Sequence, residues 1–158
     1  MSAEIGAEVL ERTLTEILEQ TAFCFSERTE DPPEWQGPVF VAELEFSGPG
    51  GGRLLLALPS DFATELATNL LGLEPGDPDG EKKAADAVGE VLNIVSGAMM
   101  PEVFGAAALV EFSSPRVESL DAAAWSKRAG PDSVRISLLV DELTRVDFAF
   151  LKPGEPDP

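Results

Sequence analysis

The chain of 158 residues contains no histidine and a single cysteine. Without histidine it lacks the side chain that most often serves as a general base and as a metal ligand. The lone Cys24 cannot form an internal disulfide, which is typical of a reducing compartment, so we expect a cytoplasmic protein. Any chemistry must therefore use carboxylates, amides or hydroxyls of this chain, or groups that a partner supplies.

Basic residues are also scarce, with 11 Lys and Arg against 29 Asp and Glu, for a formal net charge of −18. This charge repels the phosphates of nucleic acids and anionic lipid headgroups, so neither is an expected partner. A partner with a basic patch would not be repelled. There is no run of 18 apolar residues and no basic segment ahead of an apolar core at the N-terminus. We therefore expect no membrane span and no secretory signal.

What is present is enough apolar sequence, 44% of the residues, for a folded core. Hydrophobic periodicity predicts helices over residues 3–21, a second after Ser60 or Asp61 that ends at Gly72, and a third over residues 81–99 that stops near Pro101, with at most a short turn beyond. It predicts strands over residues 39–47, 53–58, 107–112, 134–141 and 144–151. In the first strand, Glu43 and Glu45 are expected to face away from the apolar side.

The element order is α, β-β, α-α, β, β-β, with helices clustered between strand pairs. This order predicts an α+β fold in which a mixed or antiparallel sheet is covered on one face by helices. We expect one domain over residues 1–152 and a frayed tail over residues 153–158.

Several local features resemble sites but have simpler explanations. The glycine-rich segment 48–52 leads into a strand and lacks the Lys-Ser/Thr ending of a phosphate loop, so it is expected to be a hairpin loop. Asp77 and Asp79 fail the spacing of a calcium loop. Cys24 has phenylalanine neighbours, which favours a buried thiol. Trp35 and Trp125 could be loop anchors or interface residues.

The helix over residues 81–99 carries the most informative pattern. At about 100° per residue, one broad face is apolar, and Asp86, Glu90, Asn93 and Gly97 form a stripe on the opposite face. Glu90 and Asn93 stand at i and i+3, so their Cβ atoms are expected to lie about 5–6 Å apart. The simplest explanation is a solvated surface of the helix.

Three residues argue against that explanation. Asn93 is a poor mid-helix residue, and Gly89 and Gly97 each cost about 1 kcal/mol relative to alanine. Small residues beside a polar stripe would let another surface approach the helix closely. Residues of low helix propensity on one side of a helix indicate that another surface contacts that side.

The stripe resembles the motif of the CheC/CheX/FliY family of chemotaxis phosphatases. In that motif an Asp or Ser, a Glu and an Asn are followed by a Pro about 22 residues later. Asp86, Glu90 and Asn93 match in spacing, and Pro115 follows after 21 residues, one fewer. Ser96 and Gly97 are also similar to the family. A single copy of the motif, with this length and element order, favours a CheX-like protein.

The resemblance implies a phosphatase that acts on the phosphorylated aspartate of a CheY-like response regulator. It assigns Asn93 to orient the attacking water and Glu90 to pair with a lysine of the regulator. It gives Asp86 a role in supporting the helix or the docking surface, and Gly97 a role in leaving room for the partner backbone. It places Mg²⁺ on the partner receiver domain, so no metal or other cofactor is expected on this chain.

Two other functions remain open from the sequence. A CheX-like fold could bind receivers or other signalling domains as an adaptor without catalysis, although the presence of both Glu90 and Asn93 disfavours this. The chain could also be a structural homodimer with another role. CheX-like proteins resemble dimers built by joining sheets edge to edge, so a homodimer is expected in either case.

Overall fold

A computed structural model describes residues 4–128 and 133–153 of the chain. Within these residues the elements, in chain order, are α1 (Ala7–Ala22), β1 (Ser26–Arg28), β2 (Val39–Ser47), β3 (Gly51–Pro59), α2 (Ser60–Leu71), α3 (Gly80–Phe104), β4 (Glu111–Phe112), β5 (Arg116–Leu120), α4 (Ala122–Arg128), β6 (Val134–Val140) and β7 (Thr144–Leu151). Apart from Pro153, the predicted frayed tail lies outside the described residues.

All described strands join one antiparallel sheet in the order β1-β6-β7-β3-β2, and β4 and β5 both pair with the far side of β2. Strands β4 and β5 therefore form a single interrupted edge, and β1 forms the opposite edge. The α+β class and the helix-covered sheet predicted from the sequence are confirmed, and the sheet is antiparallel throughout rather than mixed.

Helices α1, α2 and α3 cover one face of the sheet and enclose the main core. Alternate residues of β2, β3, β6 and β7 point into this core and meet the apolar faces of the three helices. Burial of the α3 face predicted from periodicity is confirmed for Ala84, Val88, Val91, Leu92, Val95 and Met99. The core thus fixes the rotation of α3 and leaves the polar stripe on the outside.

The opposite face of the sheet is closed by α4 and by the loop that carries Trp35. Trp125 is fully buried, and its Nε1 donates a 2.9 Å hydrogen bond to the buried carboxylate of Asp147. Arg145 donates twice to the same carboxylate at 3.0 Å, and its guanidinium lies 4.4 Å from the ring centroid of Trp35. Both tryptophans are therefore anchors of this second layer, a question that the sequence left open.

This second layer also explains the environment of Glu43. The side chain of Glu43 points away from the main core as predicted, but it is buried there, with only 3% exposure. Arg116 Nη2 and Arg128 Nη2 donate to its two carboxylate oxygens at 2.8 and 2.7 Å. Glu43 is buried because β5 and α4, neither of which was predicted, cover it.

Helix α3 runs further than predicted, because it continues through Pro101 to Phe104. Proline lacks the N–H that would bond to the Gly97 carbonyl, so one helical bond is lost there. The next turn is retained because the Gly105 N–H donates to the Pro101 carbonyl at 2.9 Å. The helix therefore does not stop at Pro101, and the short turn of helix that the sequence allowed beyond it is present.

Other boundaries differ where the sequence is polar or irregular. Helix α1 begins at Ala7, four residues after its predicted start, because Ile5 enters the core in an extended segment capped at Gly6. The strand predicted over residues 107–112 is reduced to Glu111–Phe112. The short polar β1, the half-exposed β5 and the seven-residue α4 were missed because none has a continuous apolar stripe.

By length and composition alone, α3 is apolar enough to cross a membrane, although the sequence contains no run of 18 apolar residues. Half of its most apolar stretch is buried inside the fold. Its outward side carries Asp86, Glu90 and Asn93. These features are those of a central core helix.

Candidate functional site

The predicted stripe lies on the outer side of α3 with every member exposed. Asp86, Glu90, Asn93 and Gly97 are all solvent-accessible, while the residues between them face the core. An i, i+3 pair on a helix of 25 residues packed against two other helices and the sheet is held on a rigid support. The carboxylate of Glu90 and the carboxamide of Asn93 therefore stand side by side on the surface.

These side chains have no partners within the described part of the chain. Asp86, Glu90 and Asn93 make no hydrogen bond or ion pair there, and Asp86 does not brace the other two. The nearby basic residue Lys83 is instead bound to Asp77, with Nζ and Oδ2 2.6 Å apart. The donors and acceptors of the stripe are thus available to a molecule that docks on α3.

Gly97 provides open space next to Asn93, one helical turn further along. A Cβ built on Gly97 would meet no atom within 4 Å. Its carbonyl also lacks the usual helical donor, because that donor would come from Pro101. Gly97 therefore presents an accessible stretch of backbone beside the Glu90 and Asn93 pair, with a carbonyl that lacks the ordinary i+4 donor.

Gly89 has a different environment from the one suggested by the sequence. It is buried, and a Cβ there would lie 3.4 Å from Val117 Cγ2 and 3.6 Å from the Pro115 ring. The surface that approaches α3 closely at Gly89 is the chain's own edge strand. Gly89 thus allows β5 to pack on the helix, and no space for a partner remains above it.

Pro115 lies in the break between β4 and β5 and forms a wall beside the stripe. The break is held by Ser113, whose N–H donates to the Glu45 carbonyl and whose Oγ accepts from the Glu45 N–H, both at 2.9 Å. Arg116, the next residue after Pro115, is fixed by Glu43. The structure thus brings Pro115 against α3 next to Glu90, although they are 25 positions apart in the chain.

Ser96 is placed inside the protein. It is fully buried, and its Oγ has no hydrogen-bond partner among the described residues. Ser96 therefore cannot contact a docked partner directly. It packs inside the protein, beneath the surface that carries Asn93 and Gly97.

Sequence reasoning missed the supports on the far side of β2. Glu43 and Ser113 hold the β4–β5 edge, and neither was a candidate. No local signal separates Glu43 from Glu45, because both alternate with apolar residues in the same strand. Only the pairing of β5 with β2 shows which glutamate is covered.

The features set aside in the sequence have structural roles. Burial raises the pKa of the Cys24 thiol to about 11, helped by the nearby carboxylates of Asp141 and Glu65, so the thiol is protonated at neutral pH. The acidic turn before α3 is locked by Lys83, whose hydrogen bond lowers the pKa of Asp77. Among the described residues no cluster of three or more acidic or cysteine side chains could hold a metal ion.

Solved structures with this fold are CheX proteins and their relatives. CheX from Vibrio vulnificus is 16% identical, with a TM-score of 0.67 over 91% of this chain and 93% of that chain. CheX from Desulfovibrio desulfuricans is 17% identical, with a TM-score of 0.62 over 91% and 97%. A CheX–CheY–BeF3–Mg²⁺ complex from Borrelia burgdorferi gives 12% identity and a TM-score of 0.65 over 91% and 95%. At these identities the matches establish the fold.

Sequence comparison identifies the family. A search of curated protein sequences finds no significant match. The family model described as chemotaxis phosphatase CheX, however, matches residues 40–138, which is more than half of the chain and includes α3 and Pro115. The chain therefore belongs to the CheX family of chemotaxis phosphatases.

Proposed function

We propose that this protein dephosphorylates the phospho-aspartate of a CheY-like receiver domain. The observation that carries the proposal is the exposed pair of Glu90 and Asn93, which has no partner among the described residues and stands at i and i+3 on the central helix of a CheX-family fold. The Borrelia burgdorferi structure contains CheX together with CheY, which supports a receiver as the partner.

Asn93 would orient the attacking water. Its carboxamide can accept one hydrogen bond and donate another without adding charge near the phosphoryl oxygens. The water oxygen would attack phosphorus in line with the aspartyl oxygen, whose bond to phosphorus breaks, releasing inorganic phosphate and the free carboxylate. Positioning and electrostatics dominate this kind of reaction, so a water-orienting amide carried on a rigid helix can contribute without covalent chemistry.

Glu90 would set the register between the two proteins by pairing with a lysine of the receiver. An interfacial ion pair fixes orientation and disfavours wrong partners. Charge neutralisation by Mg²⁺ belongs to the receiver in this proposal, and no residue of this chain is assigned to hold it. The active site is thus shared, with the water-orienting group on this chain and the phosphoryl group on the partner.

The docking surface would consist of the outer side of α3 with the Pro115 wall beside it. Gly97 leaves its backbone accessible next to Asn93, and Pro115 is held in place from behind by Ser113 and Arg116. Asp86 would contribute a charged contact at the N-terminal end of this surface.

Binding and catalysis can be separated by two substitutions. Gly97→Leu should block receiver binding, whereas Ala98→Leu, an exposed change on another side of α3, should not. Asn93→Ala should bind a beryllofluoride-activated receiver about as well as the unchanged protein and fail to release phosphate. If the unchanged protein binds the receiver but does not shorten the lifetime of the phosphorylated receiver, an adaptor function would be supported instead. Binding by Gly97→Leu equal to that of Ala98→Leu would contradict the proposed surface.

We also propose that the protein is a cytoplasmic homodimer, as its relationship to CheX-like proteins implies. Both sheet edges, β1 on one side and β4 with β5 on the other, are unpaired on their outer side among the described strands. Unpaired backbone groups at a sheet edge can pair with an edge strand of a second copy.

A further inference from the structure

The β1 edge of the sheet carries a pocket, lined by both apolar and acidic side chains, that the proposed phosphatase activity does not use. A cavity of about 450 Å³ is lined by Phe25, Ser26, Glu27, Leu139, Asp141 and Glu142, which we call the edge pocket. Glu27 and Leu139 are cross-strand neighbours, and their side chains point to the sheet face opposite α1, α2 and α3. The pocket opens at the surface between β1 and the β6–β7 turn.

Large apolar side chains around the edge pocket are exposed to an unusual degree. Phe25 is 73% exposed, and Phe23 and Leu143, which lie in the adjoining turns, are each 79% exposed. These are three of the six large apolar side chains that are exposed in the described chain. Exposed apolar residues are ordinary when scattered, but a group of them beside a pocket indicates an interaction surface.

The backbone around the edge pocket is also strained. The non-glycine residues with positive φ among those described are Phe23 at 58°, Asp141 at 49° and Glu142 at 62°. Left-handed backbone is costly for a bulky residue such as phenylalanine. At Phe23 it forms the C-cap of α1, where the Cys24 N–H donates to the Leu18 carbonyl at 3.3 Å. Asp141 and Phe25 are joined by two bonds, in which each N–H donates to the other residue, at 2.7 and 3.0 Å. These bonds hold Phe25 beside the turn.

The charges of the edge pocket identify the chemistry of its occupant. Three of its six lining residues are carboxylates and none is basic. Arg145, the cross-strand neighbour of Leu139, is bound to Asp147. Arg28 on β1 is turned to the other face and pairs with Glu11 and Glu30. A second copy of the chain would bring like charges together across a two-fold axis. A segment that carries lysine or arginine around an apolar residue would complement both the carboxylates and the apolar floor.

We propose that the edge pocket binds an extended basic segment of another protein. One large apolar side chain of that segment would sit between Phe25 and Leu139, and flanking basic side chains would pair with Glu27, Asp141 and Glu142. The backbone groups of Ser26 and Arg28 point away from β6, because Phe25 and Thr29 bond to it, so they are available to a strand added outside β1.

This site is separate from the stripe on α3. The β1 edge is five strand positions from β5, or about 24 Å at about 4.8 Å per strand. Occupation of the edge pocket should therefore leave receiver docking on α3 unobstructed, and one protein could hold both partners at once.

The test uses the whole chain and a synthetic peptide of sequence KVKFKVK, with a lysine-only peptide as the control for non-specific attraction. Chemical shifts should change at Phe25, Glu27 and Leu139. Phe25→Ser should weaken the peptide affinity by about tenfold, whereas Leu109→Ser, which alters an exposed leucine elsewhere, should change it by less than about twofold. Glu27→Lys should weaken it by about tenfold and Glu16→Lys, on an exposed part of α1, by much less.

Three results would overturn the proposal. Equal binding of both peptides would mean non-specific attraction to an acidic protein. Equal effects of the pocket and control substitutions would place binding elsewhere. A dimer that Phe25→Ser dissociates, measured by analytical ultracentrifugation, would make a second copy the occupant.

Discussion

At the scale of single residues, the proposed site depends on side chains that have no partner within the described chain. The polar groups of Glu90 and Asn93 do not stabilise the fold, and Gly97 lowers the stability of the helix. The same freedom makes them available to a receiver. Periodicity was sufficient to predict their exposure, because the apolar residues of α3 leave only one rotation of the helix in the core.

Trp125→Phe should destabilise the protein, because the buried carboxylate of Asp147 loses a charged-group hydrogen bond. The expected loss is about 1–3 kcal/mol of unfolding free energy. Trp35→Phe is the matched control, since the Trp35 Nε1 is buried without a partner and the ring stacked on Arg145 would be kept. Denaturant unfolding compares the two. An equal loss in both variants would contradict the role given to the Trp125 hydrogen bond.

The pKa of Cys24 gives a prediction at alkaline pH. The folded pKa of about 11 lies above the ordinary value of 9.0, so the unfolded chain loses its thiol proton first. This thiol should therefore leave the free energy of unfolding unchanged below pH 9 and lower it as the pH rises from 9 to 11. Cys24→Ala should show a smaller fall over that range in thermal unfolding. The same slope in both proteins would contradict the raised pKa.

At the scale of elements, the site is formed where α3 meets the interrupted edge of the sheet. The break between β4 and β5 places Pro115 on Gly89, and Glu43 fixes β5 from the other face through Arg116. The sequence predicted the helix and the proline but not this support, because β5 has too few apolar residues to show strand alternation. The sequence allowed a short turn of helix after Pro101 but did not predict that it continues α3, because proline usually ends a helix.

Glu43→Gln should destabilise the protein by about 2–3 kcal/mol, because two arginines lose a charged acceptor in a covered position. Glu45→Gln, one exposed position of the same strand, should cost less than about 0.5 kcal/mol. The substitution Glu43→Gln should also accelerate backbone hydrogen exchange more in β5 than in β7. Uniform exchange changes across the sheet would contradict a local role in holding β5.

At the scale of the whole molecule, the antiparallel sheet with helices on one face was predictable, because every strand that is central in it has a strong apolar pattern. The second layer, formed by α4 and the Trp35 loop, was not predictable, because it depends on charged residues whose burial arises only from tertiary contacts. For the same reason the edge pocket could not be predicted from the polar segment that contains β1.

The unpaired edges and the family relationship lead us to expect a homodimer in solution. Light scattering at micromolar concentration should give about twice the chain mass of 16.8 kDa. Ser119→Pro, on the edge strand β5, should weaken a dimer built on that edge. Ser126→Pro, in α4, is the control for loss of the dimer through general damage to the fold. A monomer at this concentration would contradict the expectation.

The central claim is that Asn93 acts on a partner's phosphoryl group. The most direct measurement is the lifetime of phosphorylated receiver domains from the same genome, with and without this protein. The unchanged protein should shorten the lifetime of at least one receiver. Asn93→Ala should remove at least about 99% of that effect, equivalent to about 2.7 kcal/mol, with unaltered unfolding stability. Gln20→Ala, at an exposed amide on α1, should retain it. Full activity of Asn93→Ala would contradict the proposed mechanism.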